Sequence, residues 1–221
     1  MTFDHDWLVR SVTMLIPLWL SLSVHEWAHA RTAFRLGDDT AKLLGRMTLN
    51  PLAHIDPVGT LLFPLLGIPF GWARPVPVQP QRFHAGVNMR TGMMIVAVAG
   101  PLANLALAAL AIALVMVVAG FRVVPGHWIV PTYRFLNTMV LINVLLASFN
   151  ALPIPPLDGS RVADALMPRP LRPVWEAFCR LGPIALIMVL VLPRVTGISL
   201  FHYPMQATQW LLEHAVGLAV R

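Results

Sequence analysis

Residues 91–120, TGMMIVAVAGPLANLALAALAIALVMVVAG, run for 30 positions without one charged side chain. As an α-helix such a run is about 45 Å long, more than the ~30 Å of a bilayer's hydrocarbon core. An uncharged apolar run of this length reads as a membrane span. Working outward, Trp7 to Phe34 reads as an earlier span and Phe135 to Leu152 as a later one, ended by Pro153, Pro155 and Pro156. Val174 to Leu192 reads as a further span, with Pro183 expected to kink it. Residues 57–70 are apolar but only 14 long, and Pro64, Gly67 and Pro69 break them up. That is too short to cross, so a re-entrant segment sheltered by protein is expected. Residues 74–80, RPVPVQP, alternate prolines in a way that forbids helix and favours an extended path. The stretch 198–220 carries His202, Gln206, Gln209, Glu213 and His214, and reads as an interfacial amphipathic helix or a poor last span.

Composition agrees with this reading. Of 221 residues, 57% are hydrophobic and 12% charged, about half the charge of a soluble domain. Five or so spans of about 20 residues would use nearly the whole length. The expectation is therefore an all-α polytopic membrane protein with four to five transmembrane helices. A re-entrant or extended segment would lie between the first two spans, and residues 1–221 would form a single domain. The net charge of +6 would suggest nucleic acid in a soluble protein. Here the basic residues sit between apolar runs, where they set orientation, and no nucleic-acid partner is expected. Cys179 is the only cysteine, which leaves no internal disulfide and no Cys-rich metal cluster. Asp4 and Asp6 stand where a cleaved signal would carry positive charge.

Arg31, Arg35, Lys42 and Arg46 follow the first span, and Arg74, Arg82 and Arg90 precede the next. Arg161, Arg169, Arg172 and Arg180 lie around and beyond the turn after the third. If these regions share one side, that side holds most of the 16 basic residues and should be the cytoplasm. The arrangement requires residues 57–70 to return to the side they came from, as their length suggests. The protein is thus expected in the cell membrane as a multi-pass chain, in contact with lipid.

The chemistry-bearing motif is His25-Glu26-Trp27-Ala28-His29. Histidines at i and i+4 share a helix face, so both imidazoles can reach one zinc, with Glu26 placed to take a proton from the water such a metal activates. With 8 His in the chain, a chance HExxH has odds of about one in 250. Two histidines and a carboxylate in an apolar span are also costly unless paired or metal-bound. A polar cluster without metal is the competing reading. Catalytic zinc wants three protein ligands and an open position. Asp158, in 150–159 NALPIPPLDG, is the candidate third ligand. It follows a proline-broken span at the end expected to be cytoplasmic, and His25 lies about 27 Å along its helix from Trp7, at matching depth. The competing reading of Asp158 is a helix N-cap before Gly159.

These residues are similar to the signature of the site-2 proteases, intramembrane zinc metalloproteases. The resemblance rests on His25-Glu26-x-x-His29, Gly100-Pro101-x-x-Asn104 and Asn150-x-x-Pro153-x-Pro155-x-Leu157-Asp158-Gly159. The segment Asn50-Pro51-x-x-His54-Ile55-Asp56-Pro57-x-Gly59-Thr60 and residues 71–78, GWARPVPV, resemble a compact prokaryotic branch without PDZ or CBS domains. The resemblance implies His25, His29 and Asp158 as ligands of one zinc per chain and Glu26 as general base. It also implies Asn104 and Asn150 as residues of the active-site region that meet the substrate backbone. The expected activity is hydrolysis of peptide bonds in or near transmembrane segments of protein substrates, with the site near the cytoplasmic face. His54 has two readings, a hydrogen-bonding group beside the metal and a structural bond in its loop, of which the structural one is the commoner. Asn143, inside its span, reads as interhelical glue. The rival functions are an inactive zinc-containing membrane chaperone or binding protein, against which the intact Glu26 argues, and a transporter. The substrate's identity and the oligomeric state are not legible.

Overall fold

From His5 to Arg35 the chain forms one helix, α1, whose only internal breaker is Pro17. It stops where Gly37 takes φ +111°, and the Asp38 N–H returns 3.0 Å to the Ala33 carbonyl. A side chain at Gly37 would be strained by that angle and would meet the His84 backbone, so glycine is required there. In this computed structural model residues 5–62, 71–121, 126–197 and 201–219 are described. A one-turn helix α2 (Thr40–Leu43) follows, then a turn at Pro51–Ala53 and a π-helical turn at Pro57–Leu62. Residues 63–70, the core of the expected re-entrant segment, lie outside the described residues. The chain then runs without regular structure through 71–79, as the prolines require.

Two long helices come next, α3 (Met89–Phe121) and α4 (Gly126–Asn150). Both pack on α1 and on each other. On α3 the buried positions are Gly92, Val96, Ala97, Gly100, Asn104, Ala108, Ala111 and Val115, a stripe at three- and four-residue spacing. Small residues dominate it, which lets the backbones approach closely as membrane helices do. The matching face of α4 buries Leu136, Met139, Val140, Asn143 and Ala147. On the opposite face of α3, Leu102, Leu105, Leu110 and Leu114 are exposed, as lipid-facing residues would be.

The chain is all-α, and no strand occurs among the described residues. Among the described residues, two helices are long and apolar enough to cross a membrane, Met89–Gly120 and Trp128–Asn150, or three if the bent pair Arg169–Arg180 and Gly182–Leu192 is one span. At 31 residues α1 has the length, but its second half carries His25, Glu26, His29 and Arg31. The span expected at 174–192 is broken near its middle. It is two helices, α6 (Arg172–Arg180) and α7 (Gly182–Thr196), bent by 65°. Pro183 opens α7 instead of kinking a continuous helix, because proline is tolerated in a first turn. Between α4 and α6 lies α5 (Asp158–Leu166), which packs on α3. The last helix, α8 (His202–Ala219), packs on α3 and α4, with Leu212 against Ala108, Ala111, Met139 and Val140.

Candidate metal centre and its cavity

His25 and His29 project from one face of α1, with ring centroids 4.5 Å apart. Their Nε2 atoms are 3.0 Å apart, and Asp158 Oδ2, from the first residue of α5, lies 3.2 Å from one and 3.3 Å from the other. The three donors form a nearly equilateral triangle. Tetrahedral zinc with ligands at about 2.0–2.1 Å would hold them roughly 3.3–3.4 Å apart. The residues therefore fit the metal. Asp158 Oδ2 is buried with no hydrogen bond, an orphan that a cation would satisfy. Burial pushes the Asp158 carboxyl up, but the adjoining His25 and His29 more than offset that and bring it down to about 2. It is thus the anion a ligand must be.

Each histidine is held from behind. His29 Nδ1 bonds the Val96 carbonyl at 2.8 Å, and His25 Nδ1 lies 2.6 Å from Asn104 Oδ1. Room for both rings comes from Gly100, where a Cβ would sit 2.5 Å from the His29 ring and 2.6 Å from His25. The Asp158 position depends on the turn after α4, where a side chain at Gly159 would run into the Ala151 carbonyl.

Glu26 is buried beside the triangle, and its Oε2 accepts the Val76 N–H at 2.8 Å. Val76 belongs to the extended strip 71–79, pinned at several other points. The Arg74 N–H donates to the His54 carbonyl, and the Gln79 N–H to Asp38 Oδ2, at 2.9 and 2.6 Å. The Arg46 guanidinium donates to the Arg74 carbonyl at 2.6 Å. A cavity of about 680 Å³ opens against the trio, walled by Trp72 and Val76 of the strip, Asn150 of α4, and Leu186, Ile187 and Leu190 of α7. Arg161, one turn beyond Asp158, also faces it.

The structure thus brings together His25, Glu26, His29, Asp158 and Asn150. Asn104 lies elsewhere than expected. It is fully buried, with its oxygen on His25 and its nitrogen on Asn143 and the Ser21 carbonyl. The whole amide is committed within the protein, behind His25. Asn150 returns Nδ2 to the Leu146 carbonyl at 3.0 Å and retains a place on the cavity wall. His54 is buried in its loop, bonding the Thr48 carbonyl at 2.8 Å, which matches the structural reading. Sequence reasoning missed the Val76 N–H, which no residue type announces, and gave Gly100 only as part of a motif, without its role of making room for both rings.

The profile of Peptidase family M50 matches residues 13–190. The chain is similar to the "Putative zinc metalloprotease YwhC" of Bacillus subtilis, 37% identical over 181 residues, covering 81% of this chain and 80% of that protein. It is 35% identical over 190 residues to the "Putative zinc metalloprotease Rip2" of Mycobacterium tuberculosis, covering 83% of this chain and 69% of that protein. No solved structure matches.

Proposed function

The chain belongs to Peptidase family M50, and on that premise we propose that it is a zinc endopeptidase of the membrane. Its substrates would be membrane proteins, cut in or near their transmembrane segments. The observation that carries this reading is the buried Glu26 carboxylate facing the cavity beside the His25, His29 and Asp158 donor triangle. His25, His29 and Asp158 would hold the metal. When bound, zinc supplies Lewis-acid chemistry, polarising a carbonyl and making water acidic near neutral pH. Glu26 takes the proton of the attacking water and passes it to the leaving amine. The Val76 N–H holds that carboxylate in place. The apolar walls from α7 suit a lipid-facing peptide, which must unwind locally to free its carbonyls from i→i−4 bonds. Strand addition along residues 71–79 would be limited, because the N–H groups of Arg74, Val76 and Gln79 are already taken and Pro75 and Pro77 have none. The basic residues after α1, before α3 and around α5 support a cytoplasmic location for the site.

The test is Glu26→Gln, which keeps shape and polarity but removes the base. Zinc content should stay, and cleavage of a transmembrane reporter should fall by about 100-fold or more. Unchanged turnover would reject Glu26 as the base, and with it this mechanism.

A further inference from the structure

Behind His25 lies a chain of amide and hydroxyl groups, all fully buried, that joins three helices. We propose that Asn143, through Asn104, fixes which nitrogen of His25 carries the proton, and so keeps Nε2 available to metal. This rests on the zinc reading above.

The argument follows donors and acceptors. Backbone carbonyls only accept, so they dictate the orientation of each amide they touch. The Met139 carbonyl lies 2.7 Å from one end of the Asn143 amide, which must therefore be Nδ2. The same nitrogen donates to Ser21 Oγ at 2.8 Å, and that hydroxyl uses its own proton on the Pro17 carbonyl, 2.7 Å away. Asn143 must then present Oδ1 to α3, where Asn104 Nδ2 donates to it at 2.7 Å. Asn104 Nδ2 also meets the Ser21 carbonyl at 3.3 Å. Both contacts turn Asn104 Oδ1 toward His25 Nδ1, at 2.6 Å. An amide oxygen cannot donate, so Nδ1 carries the hydrogen, and in the neutral ring that metal binding requires Nε2 keeps its lone pair toward Asp158 and His29.

Turning either amide over would set nitrogen against nitrogen or oxygen against carbonyl at two places. If Asn104 alone turned, its NH₂ would face Nδ1, and the proton would move to Nε2, where it blocks metal. Asn143 touches no ligand. Its role is to remove the ambiguity of Asn104 through the short 2.7 Å bond, which reinforces the longer 3.3 Å contact to the Ser21 carbonyl and makes it a positioning residue rather than helix glue.

Zinc affinity of the full-length, detergent-solubilised protein, measured by competition with a chelating indicator, tests this. Asn143→Leu, similar in size but unable to orient Asn104, should bind zinc at least ~10-fold more weakly. Asn143→Asp presents an acceptor to Asn104 in either protonation state, and should stay within about 3-fold of wild type. A residue serving only packing would give the opposite order, because aspartate is the costlier group to bury; that order overturns the proposal. If Asn143→Leu fails to fold, the Asn143→Asp result decides by itself. A second arm uses Asn104→Asp, whose two oxygens both accept and leave nothing to orient. In that background Asn143→Leu should no longer weaken zinc, and an equal loss in both backgrounds would overturn the proposal. Wild-type protein that holds no zinc would instead refute the metalloprotease reading. Zinc held by wild type and Asn143→Leu alike would refute only the orienting role.

Discussion

At the scale of single residues the site depends on one missing methyl group. Gly100 presents bare backbone to both imidazoles, and a Cβ there would press on each ring at about van der Waals overlap, 2.5 to 2.6 Å. Gly100→Ala should therefore reduce bound zinc to a small fraction of wild type, measured by metal analysis of purified protein. The helix itself gains propensity from alanine, so α3 should remain folded by circular dichroism. Near-full zinc occupancy would show that the rings can move aside. Asn150 makes a contrasting case. It reaches the cavity but not the metal donors, so Asn150→Ala should keep zinc and lose at least 10-fold in kcat/KM, about 1.4 kcal/mol of transition-state binding. Loss of zinc or thermal stability in step with activity would make it structural. His25, Glu26 and His29 were legible because four-residue spacing on a helix is itself geometry. Asp158 was legible because prolines end the preceding helix and leave a turn free to point a carboxylate back. For Asn104 the sequence shows an amide in a span, while the rotation of its helix decides what the amide meets.

At the scale of elements, the strip 71–79 is held at four places by groups from α1, α2's flanks and the loop before it, and through Val76 it steadies Glu26. Arg46 is the most removable of these pins, since its guanidinium reaches the Arg74 carbonyl from outside the metal centre. Arg46→Ala should leave zinc in place, speed hydrogen exchange at the Val76 amide and lower kcat by several-fold. Exchange at Val76 unchanged from wild type would mean that the other pins suffice. None of this pinning is visible in sequence, because it runs through backbone groups. The 65° break between α6 and α7 was similarly hidden. A Gly182-Pro183 pair marks a discontinuity, but helix start and mid-helix kink look alike until the flanking turns are seen.

At the scale of the whole molecule, the proposed cytoplasmic side of the trio rests on the basic residues around it. In a Cys179→Ala background, single cysteines at Asp39 and Leu166 should both be labelled from the cytoplasmic side. Labelling on opposite faces would contradict a shared site, and labelling of both only from outside would invert the topology. The three proposed ligands also come from distant parts of the chain, two from α1 and one from α5, with about 130 residues between His29 and Asp158. At ordinary synthesis rates of about 5–20 residues per second, that interval is roughly 6 to 26 s. During it the growing chain has two histidines and a base but no third ligand, and α3 and α4 have yet to arrive behind them. On the proposed function, a half-made molecule lacks its third ligand, and proteolytic competence can begin only once Asp158 has been made and folded back against α1.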